Sequence, residues 1–311
     1  MAPEPVAGLT APPGLARGSF PAMGTRVSVL APTRRPDAID AVRQTFGRWD
    51  EHLSRFRPDS ELSRLNAAAG APVEVSRLLW QVTSAALDAA AATGGLFDPT
   101  LLRPLEALGY DRDFDYLPAD RPAAGGAPVM AAGSWRSVAL DGEHQAVCLP
   151  AAVGLDFGGI AKGMAVDAAL ATLAALGIEP AAVEAGGDLA VHGLPDGCAA
   201  WPIAVELEAG SRTIGLARGA LATSSTARRR WRAGGEERHH LLDPRTGLPA
   251  ASGVRSATVA ALTCRQAEVA AKVALILGPD AGLAFLERHL LTGLLVLDDG
   301  TELRAGAWRP A

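Results

Sequence analysis

The sequence is short of the features that mark a metal finger, a disulfide scaffold or a membrane span. Its 311 residues hold three cysteines, Cys148, Cys198 and Cys264, with no CxxC pair and no Cys/His cluster at zinc spacing. That argues against a zinc module and predicts three reduced thiols. Aromatic residues make up only 5%, and alanine fills much of the 49% hydrophobic share, so the expected core is built from small side chains and close helix contacts. No run of ~18 uncharged apolar residues occurs, so no membrane insertion is expected. A net charge of −5 argues against general nucleic-acid binding, with Arg228, Arg229, Arg230 and Arg232 as a local basic exception. The N-terminus lacks a basic n-region, an apolar h-region and a lipobox-like cysteine, which predicts a cytoplasmic location.

What is present reads as one α+β chain. Residues 1–17 are rich in Pro, Gly and Ala and are expected to be disordered or loosely draped. The remainder, 18–311, is expected to form one large domain with subregions of about 18–150 and 151–311. Alternation at Thr25–Leu30 predicts a half-buried strand. Ile39, Val42, Phe46 and Trp49 recur at spacings of three and four, which predicts an amphipathic helix over 37–54. Further helices are expected at 60–69, with Ser60 as cap, and at 76–92, stopped by Gly94-Gly95. Residues 111–135 read as a loop, and 135–150 as a hairpin turning at Asp141-Gly142. A strand end is predicted at 153–156, helices at 161–176, 264–277 and 280–289, and strands at 181–185, 203–206, 212–217, 293–297 and 302–305. Strands and helices mix without strict βαβ alternation, which favours α+β over a doubly wound sheet.

Four places carry chemistry. Asp156-Phe157-Gly158-Gly159-Ile160-Ala161-Lys162-Gly163 leads into a helix; glycines let a backbone pass close to a ligand, and a helix start offers free N–H groups to an anion. A phosphate fits there, and so does a plain strand-to-helix turn. The order matches neither GxGxxG nor GxxxxGK[ST], so neither the Rossmann nor the P-loop reading applies. Glu184-Ala185-Gly186-Gly187-Asp188 reads either as a close approach to a ligand or as a glycine hairpin. His239-His240-Leu241-Leu242-Asp243-Pro244-Arg245-Thr246-Gly247 contains an Asp-Pro turn, with a His pair that is either structural or carries protons. Glu268 and Lys272 share a helix face at i, i+4, as an ion pair or as part of a site.

The order of these segments resembles the FAD:protein FMN transferases, the ApbE family, over about nine tenths of the chain. The family's MGT corresponds to Met23-Gly24-Thr25. Its S-x-[FY]-x-x-x-S-E-[LI]-x-x-[LF]-N region corresponds to Ser54–Asn66, and its G-x-F-D-P-T to Gly95–Thr100. The D-[LF]-G-[GA]-I-A-K-G signature stands in full at 156–163, and H-[IL]-[IL]-D-P-x-T-G at 240–247. The resemblance implies a mixed sheet with flanking helices and an FAD cleft between two α/β halves. It implies that Met23, Phe56, Ala107, Leu108 and Gly109 line that cleft, that Asp156 and Lys162 hold FAD near its phosphates or adenosine, and that His240, Leu241 and Asp243 lie toward the flavin or phosphate. It implies Mg2+ bound by the Gly159 carbonyl and the carboxylate at 268, and attack by a Ser or Thr hydroxyl of an acceptor protein on the FMN phosphorus, with release of AMP.

Two departures stand out. Where the family has A-D-x-x-x-T on the late helix, this chain has Ala267-Glu268 and Lys272. A protonated Lys272 is no metal ligand; the expectations are a thinner Mg2+ shell, partial replacement of the metal's charge by the ammonium, or binding of FAD with poor transfer. The frequent Tyr near the flavin is Phe56 here, which keeps a stacking face and loses a hydroxyl.

Overall fold

The computed structural model describes residues 7–9, 11–68, 70–118, 120–121, 133–207 and 210–308. The described helices are α1 (Asp37–Leu53), α2 (Glu61–Ala67), α3 (Arg77–Ala92), α4 (Leu102–Ala107), α5 (Ala161–Ala175), α6 (Cys264–Leu277) and α7 (Pro279–Arg288). The chain forms two compact units: Met1–Arg48 with Lys162–Ser224 and Gly253–Ala311, and Trp49–Ala161 with Ser225–Ser252. This differs from the sequence-based division near residue 150, because strands far apart in the chain join one sheet.

That sheet dominates the first unit. Its eight strands run in the order Glu302–Ala305, Thr292–Leu297, Val254–Ala261, Gly219–Ser225, Asp188–His192, Ala181–Ala185, Thr25–Pro32 and Leu15–Ala22. On either side of the Val254–Ala261/Gly219–Ser225 seam the pairs are antiparallel. Because side chains alternate along a strand, each face gathers its own set. Leu30, Leu189, Val191, Leu221, Leu294 and Val296 pack against Trp201, Ile203, Val205, Ile214 and Leu216 of a smaller sheet. The opposite face meets helices: a Cβ on Gly18 would collide with Ile39 of α1, and one on Gly293 with Leu286 of α7. Glycine at these two strand positions is what lets the helices approach.

The helices follow their sequence signals. Ser60 and Ser76 accept from the backbone N–H three residues on, capping α2 and α3. In α3 the buried stripe is Leu79, Val82, Thr83, Ala86 and Ala90. The Ala-rich α6 is buried almost throughout, and α5 meets its start closely: a Cβ on Gly163 would lie 2.7 Å from the Cys264 carbonyl oxygen.

Three expectations need correction. The 1–17 segment is not wholly a loose tail. Ala7–Leu9 pairs antiparallel with Ile203–Val205, and Leu15 opens a strand, since an extended backbone beside an open sheet edge finds its hydrogen bonds there; residues 1–6 and 10 lie outside the described residues. The 111–135 segment contains a short 3-10 turn, Phe114–Tyr116, and a strand, Asp120–Arg121, while 119 and 122–132 lie outside the description. No strand forms at 153–156. The backbone there is satisfied singly: the Asn66 side chain bonds both N–H and C=O of Leu155, and the Asp156 N–H donates to the Pro99 carbonyl.

The second unit holds α2, α3, α4 and small sheets. Arg230–Ala233 pairs with Glu236–His239 and, in parallel, with Asp120–Arg121; Leu242–Asp243 pairs with Leu248–Pro249. One of its cores joins Leu101, Leu105, Leu108, Tyr110, Trp231 and Leu242, with Phe56 packed against them.

Candidate active site

The predicted residues divide between the two units. In the first, Met23 and Gly24 form the two-residue turn joining Leu15–Ala22 to Thr25–Pro32, with φ of 50° and 64°. Positive φ at both turn positions matches the twist of an antiparallel hairpin. Gly186 and Gly187 turn the chain between Ala181–Ala185 and Asp188–His192, both at positive φ, and a Cβ on Gly186 would strike Thr25 Oγ1 at 2.6 Å. The sequence alternative of a glycine hairpin is thus what forms there, packed against the residue after the Met23-Gly24 turn.

Lys162, on the first turn of α5, is the centre of a buried charge cluster. Its Nζ donates to Asp188 Oδ2 and Glu268 Oε1, each at 2.5 Å, and the second Glu268 oxygen accepts from the Gly163 N–H at 2.8 Å. Asp188 and Glu268 are 2% and 4% exposed, so their charges depend on each other and on Lys162 rather than on water. Burial pushes the Asp188 carboxyl up to about 7, with Glu268 and Glu184 adding to the rise against the pull of Lys162. Burial works to lower Lys162, but the two carboxylates outweigh it and hold the ammonium above its ordinary value. Asp167, five residues after Lys162, accepts from the N–H groups of Cys264 and Arg265 and so caps α6. The α5 and α6 starts are thereby tied together by Gly163, Asp167 and Glu268. Lys272 is half-buried, one turn beyond Glu268.

Of these side chains the Glu268 carboxylate is the one that could face a Mg2+ ion, beside the N–H donors it already holds. Mg2+ takes oxygen donors in a near-octahedral set. Both Glu268 oxygens already accept from N–H donors, and Lys272 offers no lone pair while protonated. Among the described residues no group of three or more His, Cys, Asp and Glu side chains is arranged to hold a metal.

In the second unit the signature residue Asp156 is clamped. Its Oδ2 pairs with Arg55 Nε at 2.6 Å, and its Oδ1 accepts from the Gly158 N–H at 2.9 Å. The chain turns over it, with the Ile160 and Ala161 N–H groups donating to the Phe157 carbonyl. Gly159 is buried in that turn and Gly158 is exposed. Phe56 and Tyr110 rings lie 5.6 Å apart, and Tyr110 and Trp231 rings 5.3 Å apart. Trp231 Nε1 donates to the Leu108 carbonyl at 2.9 Å, and Gly109 takes a φ of 98° to turn the chain after α4. Ala107–Gly109 is therefore held by an indole that sequence reasoning passed over. Burial also pushes the Tyr110 hydroxyl up from its ordinary value.

The His240–Gly247 segment forms the predicted Asp-Pro turn. The Asp243 carbonyl accepts from the Thr246 and Gly247 N–H groups, with Gly247 at φ 70°. The Asp243 carboxylate is taken by Arg245, through the backbone N–H and the guanidinium; against the effect of burial these bonds hold its carboxyl below the usual value. Leu241 is buried, and His240 is half-buried. Sequence reasoning missed Arg55, Tyr110 and Trp231. The Ser-x-[FY] pattern leaves position 55 unspecified, and Trp231 sits in a strand masked by the neighbouring arginines.

Comparison with known proteins places the chain. The ApbE family profile matches residues 23–295. The chain is 29% identical to the FAD:protein FMN transferase of Treponema pallidum, over 92% of this chain and 85% of that protein. It is 27% identical to the one from Vibrio cholerae, over 94% and 91%. Among solved structures, the ApbE protein of Thermotoga maritima superposes with a TM-score of 0.82 at 28% identity, covering 94% of this chain and 97% of that one. The apo flavinyl transferase ApbE of Pseudomonas stutzeri gives 0.77 at 26%, covering 95% and 94%. A match through the sheet, the 156–163 turn and the 240–247 turn makes this chain a member of the ApbE family.

Proposed function

We propose that this chain is an FAD:protein FMN transferase. The observation that carries the reading is the family match across residues 23–295, which includes the intact Asp156–Gly163 turn at the head of α5. FAD is the substrate, and the second substrate is a protein presenting a Ser or Thr hydroxyl. That hydroxyl oxygen bonds to the FMN phosphorus, the bond from that phosphorus to the bridging oxygen breaks, and AMP leaves with that oxygen. The hydroxyl proton passes to a base, for which His240 is the candidate; Asp243 orders the turn that carries it. Such a transfer needs alignment and charge neutralisation more than a protein nucleophile, which accords with the lack of a nucleophile–base pair in the sequence motifs.

Met23, Phe56, Ala107–Gly109, Asp156 and Leu241 are assigned to FAD recognition. Lys162 takes part through the cluster it organises. The Gly159 carbonyl and Glu268 are the residues toward which a Mg2+ ion would be expected from the family resemblance. Given the occupied Glu268 oxygens, Lys272 is assigned the role of supplying positive charge to the diphosphate. Incubation with FAD, with and without Mg2+ and an acceptor protein, tests the reading. AMP release together with a flavin-labelled acceptor is the expected result. FMN and AMP without labelling would make the chain an FAD pyrophosphatase, and unchanged FAD would make it a binding protein.

A further inference from the structure

Among the residues assigned to FAD in the second unit, Phe56 and Asp156 lie far apart in sequence, yet one side chain touches both of them and also Tyr110, the residue after Ala107–Gly109. Arg55 donates from Nε to Asp156 at 2.6 Å and from Nη1 to the Tyr110 carbonyl at 2.8 Å. Its guanidinium lies over the rings of Phe56 and Tyr110, 4.2 and 4.5 Å from their centroids. The side chain is 6% exposed, and its Nη2 is buried without a hydrogen-bond partner among the described residues. A guanidinium carries five N–H donors, and a fold-only role would be expected to satisfy them; leaving one buried nitrogen without a partner beside two ring faces marks a group placed for its geometry. Its planar fork also matches this task in a way that an ammonium does not, since it pairs a carboxylate, donates to a carbonyl and stacks at once.

We propose that Arg55 is a positioning residue for flavin-nucleotide binding, acting through Asp156 and the Tyr110 carbonyl. The inference rests on the transferase reading for the identity of the ligand. Arg55 sets the Asp156 carboxylate so that its other oxygen holds the Gly158 N–H, which shapes the glycine turn. It holds the Tyr110 carbonyl while Trp231 holds the Leu108 carbonyl two residues earlier.

The test is FAD binding, followed by flavin fluorescence, to the wild-type chain, Arg55→Lys, Arg55→Gln, Asp156→Asn and the Arg55→Lys/Asp156→Asn double variant, each with its thermal transition recorded. Lysine keeps the charge and glutamine keeps a planar donor, but neither makes both bonds and stacks. The expected result is a Kd weakened about ten- to a hundredfold in both single Arg55 variants with cooperative unfolding retained. The double variant is expected to bind no more weakly than Asp156→Asn, because the two groups act as one unit. FAD binding within about twofold of wild type, or losses that simply add in the double variant, would overturn the assignment. Loss of cooperative unfolding in both Arg55 variants would do so too, by making Arg55 a folding residue. Failure of the wild-type chain to bind FAD would remove the transferase reading itself, and that shows in the wild-type arm alone.

Discussion

Among the described residues each unit holds a cation with little exposure, Lys162 in one and Arg55 in the other, and the two are surrounded in opposite ways. Around Lys162 the neighbours are carboxylates, Asp188 and Glu268, with Glu184 close enough to raise Asp188. Around Arg55 there is one carboxylate, one carbonyl and two aromatic faces. The first cluster has more negative than positive groups, so its charge depends on pH. The second is balanced and stacked, so its value lies in geometry. A low-dielectric setting magnifies both, and in the acid-rich cluster it favours uptake of a proton by Asp188.

The largest effect should come from breaking the acid-rich cluster. Lys162→Met leaves two buried carboxylates without their cation and is expected to cost about 3–5 kcal/mol of stability in urea unfolding. A smaller loss is expected from Trp231→Phe, which leaves the Leu108 carbonyl without its donor and costs about 1–3 kcal/mol, with weaker FAD binding. The contrast in pH response can be read directly. Asp188 holds its proton in the folded state up to about pH 7, whereas the unfolded chain releases it near 3.8. The folded state therefore binds more protons between those values, and this group's contribution to stability falls as pH rises through that window. Asp188→Asn should flatten that part of a stability–pH curve. Lys272→Thr should raise the Mg2+ dependence of AMP release; an unaltered metal response would remove Lys272 from the site. Least of all, Arg245→Ala should cost no more than about 1 kcal/mol, because its partner Asp243 lies in an already hydrogen-bonded turn and the arginine is exposed.

Elements with local signals were legible from the sequence. The cap at Ser60, the glycine stop after α3, the Asp141-Gly142 hairpin and the Asp-Pro turn at 243–247 depend on residues within a few positions of one another. One central strand made of small residues was not legible. Gly219–Ser225 reads Gly-Ala-Leu-Ala-Thr-Ser-Ser, a poor strand by propensity, yet it lies inside the eight-stranded sheet because its neighbours supply the ladder and the burial. Val153–Asp156 shows the reverse: apolar and strand-like, it has its backbone groups claimed one at a time by Asn66 and Pro99.

At the site the division has the same cause. The residues by themselves determined the helices and their caps, the glycine turns at 156–163 and 186–187, and the ApbE motif order, since each is written in short-range spacing. Only the tertiary structure decided that Glu268 gives its oxygens to Lys162 and Gly163, that Trp231 holds Leu108, and that Arg55 joins Asp156 to Tyr110. Those partners lie from about fifty to more than a hundred residues apart, and a buried polar group takes whichever complementary partner the packed fold brings within reach.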